Sequence, residues 1–284
     1  MGIWSEIVDR ASALLAFFPP SPPTYALRQQ ESGALSLQGA FVRGRARRAE
    51  VMQLDTERRR GGGGGETIVA VYVSCSSRSG RKPKTILHSH GNAVDLGIMH
   101  SVYCHLSEHL GVNVMGYDYS GYGWSTGKPS VRNTFADIRA CWKHLVEEKG
   151  TDPRDIVLLG QSVGSGPTCE FAAKLGDDLG GVILHSPLAS GVRVLKPTVS
   201  DRWPIWLDIY PNFKFVEDIC APTLVMHGNE DRIIHISNAQ LLHDRAKNPV
   251  PALWLPGYDH QNLDFSPEYL PRLEDFFKNL ENKK

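Results

Sequence analysis

From residue 84 onward, short apolar runs alternate with longer amphipathic stretches, a rhythm of strand, loop and helix repeated to the end of the chain. The runs Thr85–Ser89, Val112–Tyr117, Ile156–Leu159, Gly181–His185, Thr223–Met226 and Ala252–Leu255 are continuous rather than alternating. Continuous apolar character means that both faces of such strands are covered, as in a largely parallel sheet with helices on both sides. Between the runs the period changes. Phe135, Ile138, Trp142, Leu145 and Val146 share one face of a helix predicted over 131–149, with Gly150 as its C-terminal cap. Tyr269, Leu270, Leu273, Phe276, Phe277 and Leu280 mark a second helix over 266–281.

Upstream, residues 49–56 and 66–75 are rich in β-formers and read as two strands. The stretch between them holds Arg58, Arg59, Arg60 and the glycines Gly61 to Gly65, a flexible hairpin tip. The pair is expected to make an antiparallel edge to the sheet. No Lys-Ser/Thr follows the glycines, so they are not a phosphate-binding loop. Nearer the N-terminus, Ile3, Trp4, Ile7, Val8, Ala11, Leu14, Leu15 and Phe18 fall on one helical face. Pro19-Pro20 ends that helix, because proline lacks an N–H and its ring clashes with the preceding turn. The helix either docks on its own domain or lies in a membrane interface; its polar face carries Glu6 and Asp9 against Arg10. Pro19-Pro20-Ser21-Pro22-Pro23 is a stiff extended connector. The organisation expected is an amphipathic helix and connector over 1–20 and one α/β domain over 21–284, with an Arg/Gly-rich hairpin insert at 43–65 and no internal repeat.

Composition narrows the function. Lys plus Arg and Asp plus Glu are balanced at 31 each, so the chain presents no broad cationic field and no nucleic-acid partner is expected. Arg43, Arg45, Arg47, Arg48, Arg58, Arg59 and Arg60 are a local exception, either a solvated hairpin edge or a membrane-facing basic patch. The five cysteines are odd in number and scattered, with no C-x-x-C pair, which suits free thiols in a reducing compartment. No apolar run approaches the roughly 18–20 residues that span a bilayer. The opening Met1-Gly2-Ile3-Trp4-Ser5-Glu6 is a poor secretory signal, and Glu6 stands where N-myristoylation wants Ser or Thr. An intracellular, cytoplasmic protein without a transmembrane helix is expected, with residues 3–18 as the candidate for peripheral membrane contact.

The chemistry is carried by Ile156-Val157-Leu158-Leu159-Gly160-Gln161-Ser162-Val163-Gly164, an apolar strand running into G-x-S-x-G with a helical stretch behind it. A sharp strand-to-helix turn lifts the serine hydroxyl from the sheet edge, and glycines such as Gly160 and Gly164 are needed where side chains would strike neighbouring backbone. A serine hydroxyl is a weak nucleophile without an adjacent base. In this arrangement an acid and then a histidine follow the serine in chain order. Asp231 stands in His227-Gly228-Asn229-Glu230-Asp231 after one strand, and His260 in Pro256-Gly257-Tyr258-Asp259-His260 after the next. Glu230 and Asp259 are weaker candidates, since H-G-x-x-D is the usual form of the acid loop. The oxyanion donors expected are the N–H groups of Val163 and of Asn92, the latter in His88-Ser89-His90-Gly91-Asn92-Ala93 with Gly91 easing the backbone approach. His90 reads as structural. Asp118, which precedes the serine in Tyr117-Asp118-Tyr119-Ser120-Gly121-Tyr122-Gly123, reads as a cap. The stretch 186–210, with Trp203, Trp206 and several prolines, is either a short cap over an acyl pocket or plain packing. The expectation is a serine hydrolase of the α/β-hydrolase fold that needs no cofactor and no metal.

Leu15-Ala16-Phe17-Phe18-Pro19-Pro20, His90-Gly91-Asn92-Ala93-Val94-Asp95-Leu96-Gly97, Tyr117 to Gly123, Gly127-Lys128-Pro129, Gly160-Gln161-Ser162 and His185-Ser186-Pro187-Leu188 together resemble the α/β-hydrolase domain-containing protein 17 family from about residue 14 to the end. The resemblance implies a membrane-associated depalmitoylase acting on fatty-acyl thioesters of S-acylated protein substrates. Two departures stand out: residues 1–20 lack the cysteine cluster of the family's animal members, and the insert at 43–65 is peculiar to this chain. The residues alone leave open a lipase or carboxylesterase acting on acylglycerols, and a scaffold that has kept the fold and lost catalysis.

Overall fold

The six apolar runs become six neighbouring strands. A computed structural model describes residues 16–40, 42, 49–57, 65–75, 82–201, 203–204 and 208–281. Its strands are β1 (Ala26–Gln29), β2 (Leu35–Gln38), β3 (Ala49–Asp55), β4 (Thr67–Val73), β5 (Thr85–Ser89), β6 (Asn113–Tyr117), β7 (Ile156–Gln161), β8 (Gly181–His185), β9 (Thr223–Gly228) and β10 (Leu253–Leu255). Across one sheet they stand in the order β1-β2-β3-β4-β6-β5-β7-β8-β9-β10. Pairing is parallel from β6 to β10 and antiparallel from β1 through β4 to β6.

The helices are α1 (Leu96–Leu110), α2 (Val131–Lys143), α3 (Ser165–Leu175), α4 (Gly191–Leu195), α5 (Asn212–Phe215), α6 (Ser237–Arg245) and α7 (Tyr269–Glu281). Successive strand residues feed opposite cores, which explains the unbroken apolar runs. Leu87, Leu158 and Val182 meet Ile138, Phe171 and Leu242 from α2, α3 and α6 on one face. Ile86, Val157 and Ile183 meet Met99, Tyr103, Leu273 and Phe276 from α1 and α7 on the other.

Three expectations need correction or completion. The hairpin β3–β4 is antiparallel but is not the edge, because β2 and β1 lie outside it. The helix predicted over 131–149 runs as α2 only to Lys143 and continues as a wider π-helical turn over His144–Glu148, with Gly150 in the left-handed conformation that ends it. The amphipathic helix over 3–18 falls almost wholly outside the described residues, as do most of the insert at 43–65 and Trp206. Within the described residues the prolines Pro19 to Pro23 form neither helix nor strand.

Candidate active site

The C-terminal ends of β5, β7, β8, β9 and β10 all open on one edge of the sheet, the place where parallel α/β sheets bind ligands. At the end of β7, Ser162 starts a single tight turn that leads into α3. Its φ of 53° is in the left-handed region, a conformation costing a non-glycine residue on the order of 1 kcal/mol and typical of functional turns. The turn fits because its neighbours are small. A Cβ on Gly160 would lie 2.7 Å from Thr168 Oγ1 and 2.8 Å from the Gly164 carbonyl oxygen. A Cβ on Gly164 would overlap the Ser89 carbonyl oxygen at the end of β5. The φ of Gly164, −63°, is ordinary, so the requirement there is space and not torsion. Gly164→Ala is therefore expected to destabilise the fold by about 3 kcal/mol or more, since backbone must move against backbone; urea denaturation of the purified variant measures it.

The structure brings the three sequence-predicted side chains together. His260 Nε2 lies 2.9 Å from Ser162 Oγ, and His260 Nδ1 lies 2.7 Å from Asp231 Oδ2. The other Asp231 oxygen, Oδ1, accepts the N–H groups of Ile233 and Ile234 at 2.9 and 2.8 Å, so the same carboxylate also ties its own loop. Burial opposes ionisation of Asp231, but hydrogen bonds from His227 and His260 outweigh it and hold the carboxyl well below the usual range. An ionised Asp231 keeps the imidazole proton on Nδ1 and leaves Nε2 free to accept from the serine hydroxyl. Glu230 is exposed, and Asp259 Oδ1 accepts the N–H groups of Gln261 and Asn262, a turn-holding role.

His227 is a partner the sequence reading did not assign. Its Nε2 is 3.2 Å from Asp231 Oδ2 and 2.8 Å from the Ile234 carbonyl oxygen, two acceptors that place its proton on Nε2. The H-G-x-x-D loop already displayed this histidine, but its reach back to the aspartate is a tertiary fact. His185, at the end of β8, is fully buried with Nδ1 3.1 Å from the Tyr269 hydroxyl. Burial, reinforced by the neighbouring His260 and His227, pushes its imidazole down to about 3, so it stays neutral beside the site.

Across the turn, the loop 90–95 lies against the elbow. A Cβ on Gly91 would rest in ordinary contact with the Gln161 side chain, 3.6 Å from its Cδ. His90 is buried with Nδ1 2.8 Å from the Gly91 carbonyl oxygen, and Nε2 stands 3.7 Å from Asp118 Oδ1. Asp118 accepts from Tyr25 Oη at 2.6 Å and from the Leu96 N–H at the start of α1 at 2.9 Å. Burial pushes its carboxyl up to about 8 and the His90 imidazole down to about 4, so burial opposes charge on both groups beneath the loop. Behind the elbow, Ser165 Oγ donates to the Ser162 carbonyl oxygen at 2.6 Å and accepts from Asn212 Nδ2 at 3.2 Å, which joins the turn to the start of α5. Between β8 and α5, the segment holding α4 is pinned by the buried Arg193, which pairs with Asp201 at 2.6 Å and stacks on Phe213. Leu195 and Trp203 of the same segment are exposed. Among the described residues no group of three or more His, Cys, Asp or Glu side chains is arranged to hold a metal ion.

A doubly covered parallel sheet with serine, histidine and aspartate meeting at its C-terminal edge defines a hydrolase of the α/β-hydrolase fold. Residues 80–209 match the family model described as serine aminopeptidase, S33. Among solved structures, ferulic acid-bound Est1E from Butyrivibrio proteoclasticus superposes with a TM-score of 0.63 at 17% identity, covering 81% of this chain and 99% of that one. Over 271 residues the chain is 38% identical to α/β-hydrolase domain-containing protein 17B of Homo sapiens, covering 94% of this chain and 90% of the relative. It is 37% identical over 284 residues to α/β-hydrolase domain-containing protein 17C of Xenopus tropicalis, covering 94% and 89%. The chain belongs to the α/β-hydrolase domain-containing protein 17 family.

Proposed function

We propose that the chain is a serine hydrolase that cleaves fatty-acyl thioesters from S-acylated protein cysteines, with Ser162 as nucleophile, His260 as base and Asp231 as its orienting acid. The observation that carries this reading is the unbroken chain of short contacts from Ser162 Oγ through His260 to Asp231 Oδ2. His260 Nε2 takes the hydroxyl proton as Ser162 Oγ attacks the acyl carbonyl. The N–H groups of Val163 and Asn92 hold the oxyanion. Collapse of this intermediate breaks the carbon–sulfur bond, and the imidazolium returns its proton to the leaving cysteine sulfur. Water, deprotonated by the same His260, then attacks the acyl–Ser162 ester, releasing the fatty acid and restoring the serine.

The thioester preference rests on the family resemblance. It is consistent with the exposed apolar side chains of Phe18, bonded through its N–H to Asn92, and Ile233, bonded through its N–H to Asp231, which suit an acyl chain or its lipid surroundings. Among the described residues no helix is long and apolar enough to cross a membrane. We place the protein inside the cell, reaching the cytoplasmic face of membranes through residues 3–18. Purified protein is expected to turn over an S-palmitoylated peptide well ahead of a monoacylglycerol of the same chain length, read as kcat/KM for each. The reverse order would move the substrate to lipid esters, and inactivity on both, with no labelling by a fluorophosphonate, would speak for a silent scaffold.

A further inference from the structure

The segment from Ala16 to Tyr25 runs along the loop 90–95 and is bonded to it at both ends. At one end the Asn92 side chain makes four hydrogen bonds. Its Oδ1 accepts the Phe18 N–H at 2.8 Å, the Tyr122 hydroxyl at 2.8 Å and the Ala93 N–H at 2.9 Å, while its Nδ2 donates to the Ala16 carbonyl oxygen at 2.8 Å. At the other end Asp95, the N-cap of α1, accepts the Thr24 N–H at 2.7 Å and the Thr24 hydroxyl as well. Tyr25 completes the hold through Asp118, and its carbonyl accepts from Trp124 Nε1 at 2.9 Å.

This strap matters because the loop is strained. Ala93 has a φ of 58°, a conformation that a residue with a Cβ keeps only when its surroundings over-determine it. Of the four bonds on the Asn92 amide, one ties down the Ala93 N–H directly. Two others reach back to the strap, more than 70 residues earlier in the chain. The backbone of residue 92 is thus set by contacts that belong neither to the sheet nor to the helix behind it.

We propose that the Asn92 side chain, held by Ala16, Phe18 and Tyr122, is the positioning device that aims the Asn92 N–H at the developing oxyanion. The N-terminal strap is therefore a working part of the active site. This deepens the reading of Ser162, His260 and Asp231 as a hydrolytic centre and rests on it. A donor that must be met in the transition state acts on kcat, and removing one outright lowers rates by about 10² to 10³-fold. Misaiming it costs part of that.

The test uses the full chain and compares wild type, Asn92→Ala, Asn92→Asp, Phe18→Pro and a control, Ile138→Val, in the buried core on α2. Asn92→Ala is expected to lower kcat on an acyl substrate by about 10 to 100-fold, with KM little changed and fluorophosphonate labelling slowed in parallel. Asn92→Asp keeps the acceptor bonds but turns a carboxylate oxygen against the Ala16 carbonyl and brings negative charge beside the oxyanion, so it should be no faster than Asn92→Ala. Phe18→Pro withdraws one N–H and should cost roughly 2 to 10-fold. The control should lose thermal stability with kcat unchanged. An Asn92→Ala protein as fast as wild type overturns the proposal. So does a loss that falls in KM, or one that Ile138→Val reproduces at equal stability. A wild-type protein that neither labels nor hydrolyses would instead count against the hydrolytic reading itself.

Discussion

Ser162→Ala is expected to lower acyl hydrolysis by about 10⁶-fold, the scale on which loss of a nucleophile acts when nucleophile and base work as a unit. Covalent labelling by a fluorophosphonate should vanish with it. The fold should be almost untouched. Ser162 is only 9% exposed and holds its left-handed backbone through the turn, not through its hydroxyl, so alanine inherits the same torsion at the same cost. The hydroxyl's partner in the structure is His260, which reaches solvent more readily and can be hydrated in the variant. Thermal unfolding alongside single-turnover kinetics separates the two effects. Labelling that persists in Ser162→Ala would mean that another nucleophile carries the reaction.

Asp231→Asn is expected to lower kcat by about 10⁴-fold, by forcing the wrong tautomer. The two loop N–H groups of Ile233 and Ile234 need an acceptor, so the amide oxygen takes the place of Oδ1 and the NH₂ takes the place of Oδ2. That NH₂ then faces His260 Nδ1 and His227 Nε2, both of which donate to the carboxylate. His260 must move its proton to Nε2, where it can no longer accept from Ser162. His227 must give up its donor in turn, or turn it wholly to Ile234. Stability should fall as well. The folded carboxyl titrates below its unfolded value of about 4, so its contribution is present above that pH and is lost as pH falls through the folded value. At neutral pH the variant lacks a stabilising charge that wild type keeps, and the gap should begin to narrow only as pH falls below about 4. Steady-state kinetics at neutral pH, with thermal midpoints measured across the acid range, checks both. A rate within tenfold of wild type would remove Asp231 from the mechanism.

Much of the parallel half of the sheet could be read from the chain because burial on two faces leaves a compositional mark. Thr85–Ser89 and Gly181–His185 form strands with the bounds expected of them. The strands β7 and β9 run further than their apolar runs, through Gln161 and Gly228. Backbone pairing continues there, Gln161 opposite His185 and Gly228 opposite Leu255, after the side chains have turned to the chemistry of the loops. The strands β1 and β2 left no such mark. Ala26–Gln29 and Leu35–Gln38 are four residues each, half exposed, and are defined mainly by each other across a turn at Gly33, with Leu37 alone of their side chains buried. In the site, the serine, acid and histidine were visible because each follows a strand. The grip of His227 on Asp231 and of Ala16 and Phe18 on Asn92 was not, since neither leaves a local pattern in the residues that make it.

His260 hangs from β10, a strand of three residues that among the described residues is paired on one side, through Leu253, Trp254 and Leu255 to β9. Ser162 hangs from β7, which is clasped between β5 and β8 in the middle of the sheet. Peripheral pairing of this kind opens at a fraction of the free energy that global unfolding demands. Warming would thus peel the base away while the nucleophile's cradle stays intact, and cooling would seat it again. The temperature ceiling on turnover would then be set by the frailest rung of the ladder, ahead of the melting of the core.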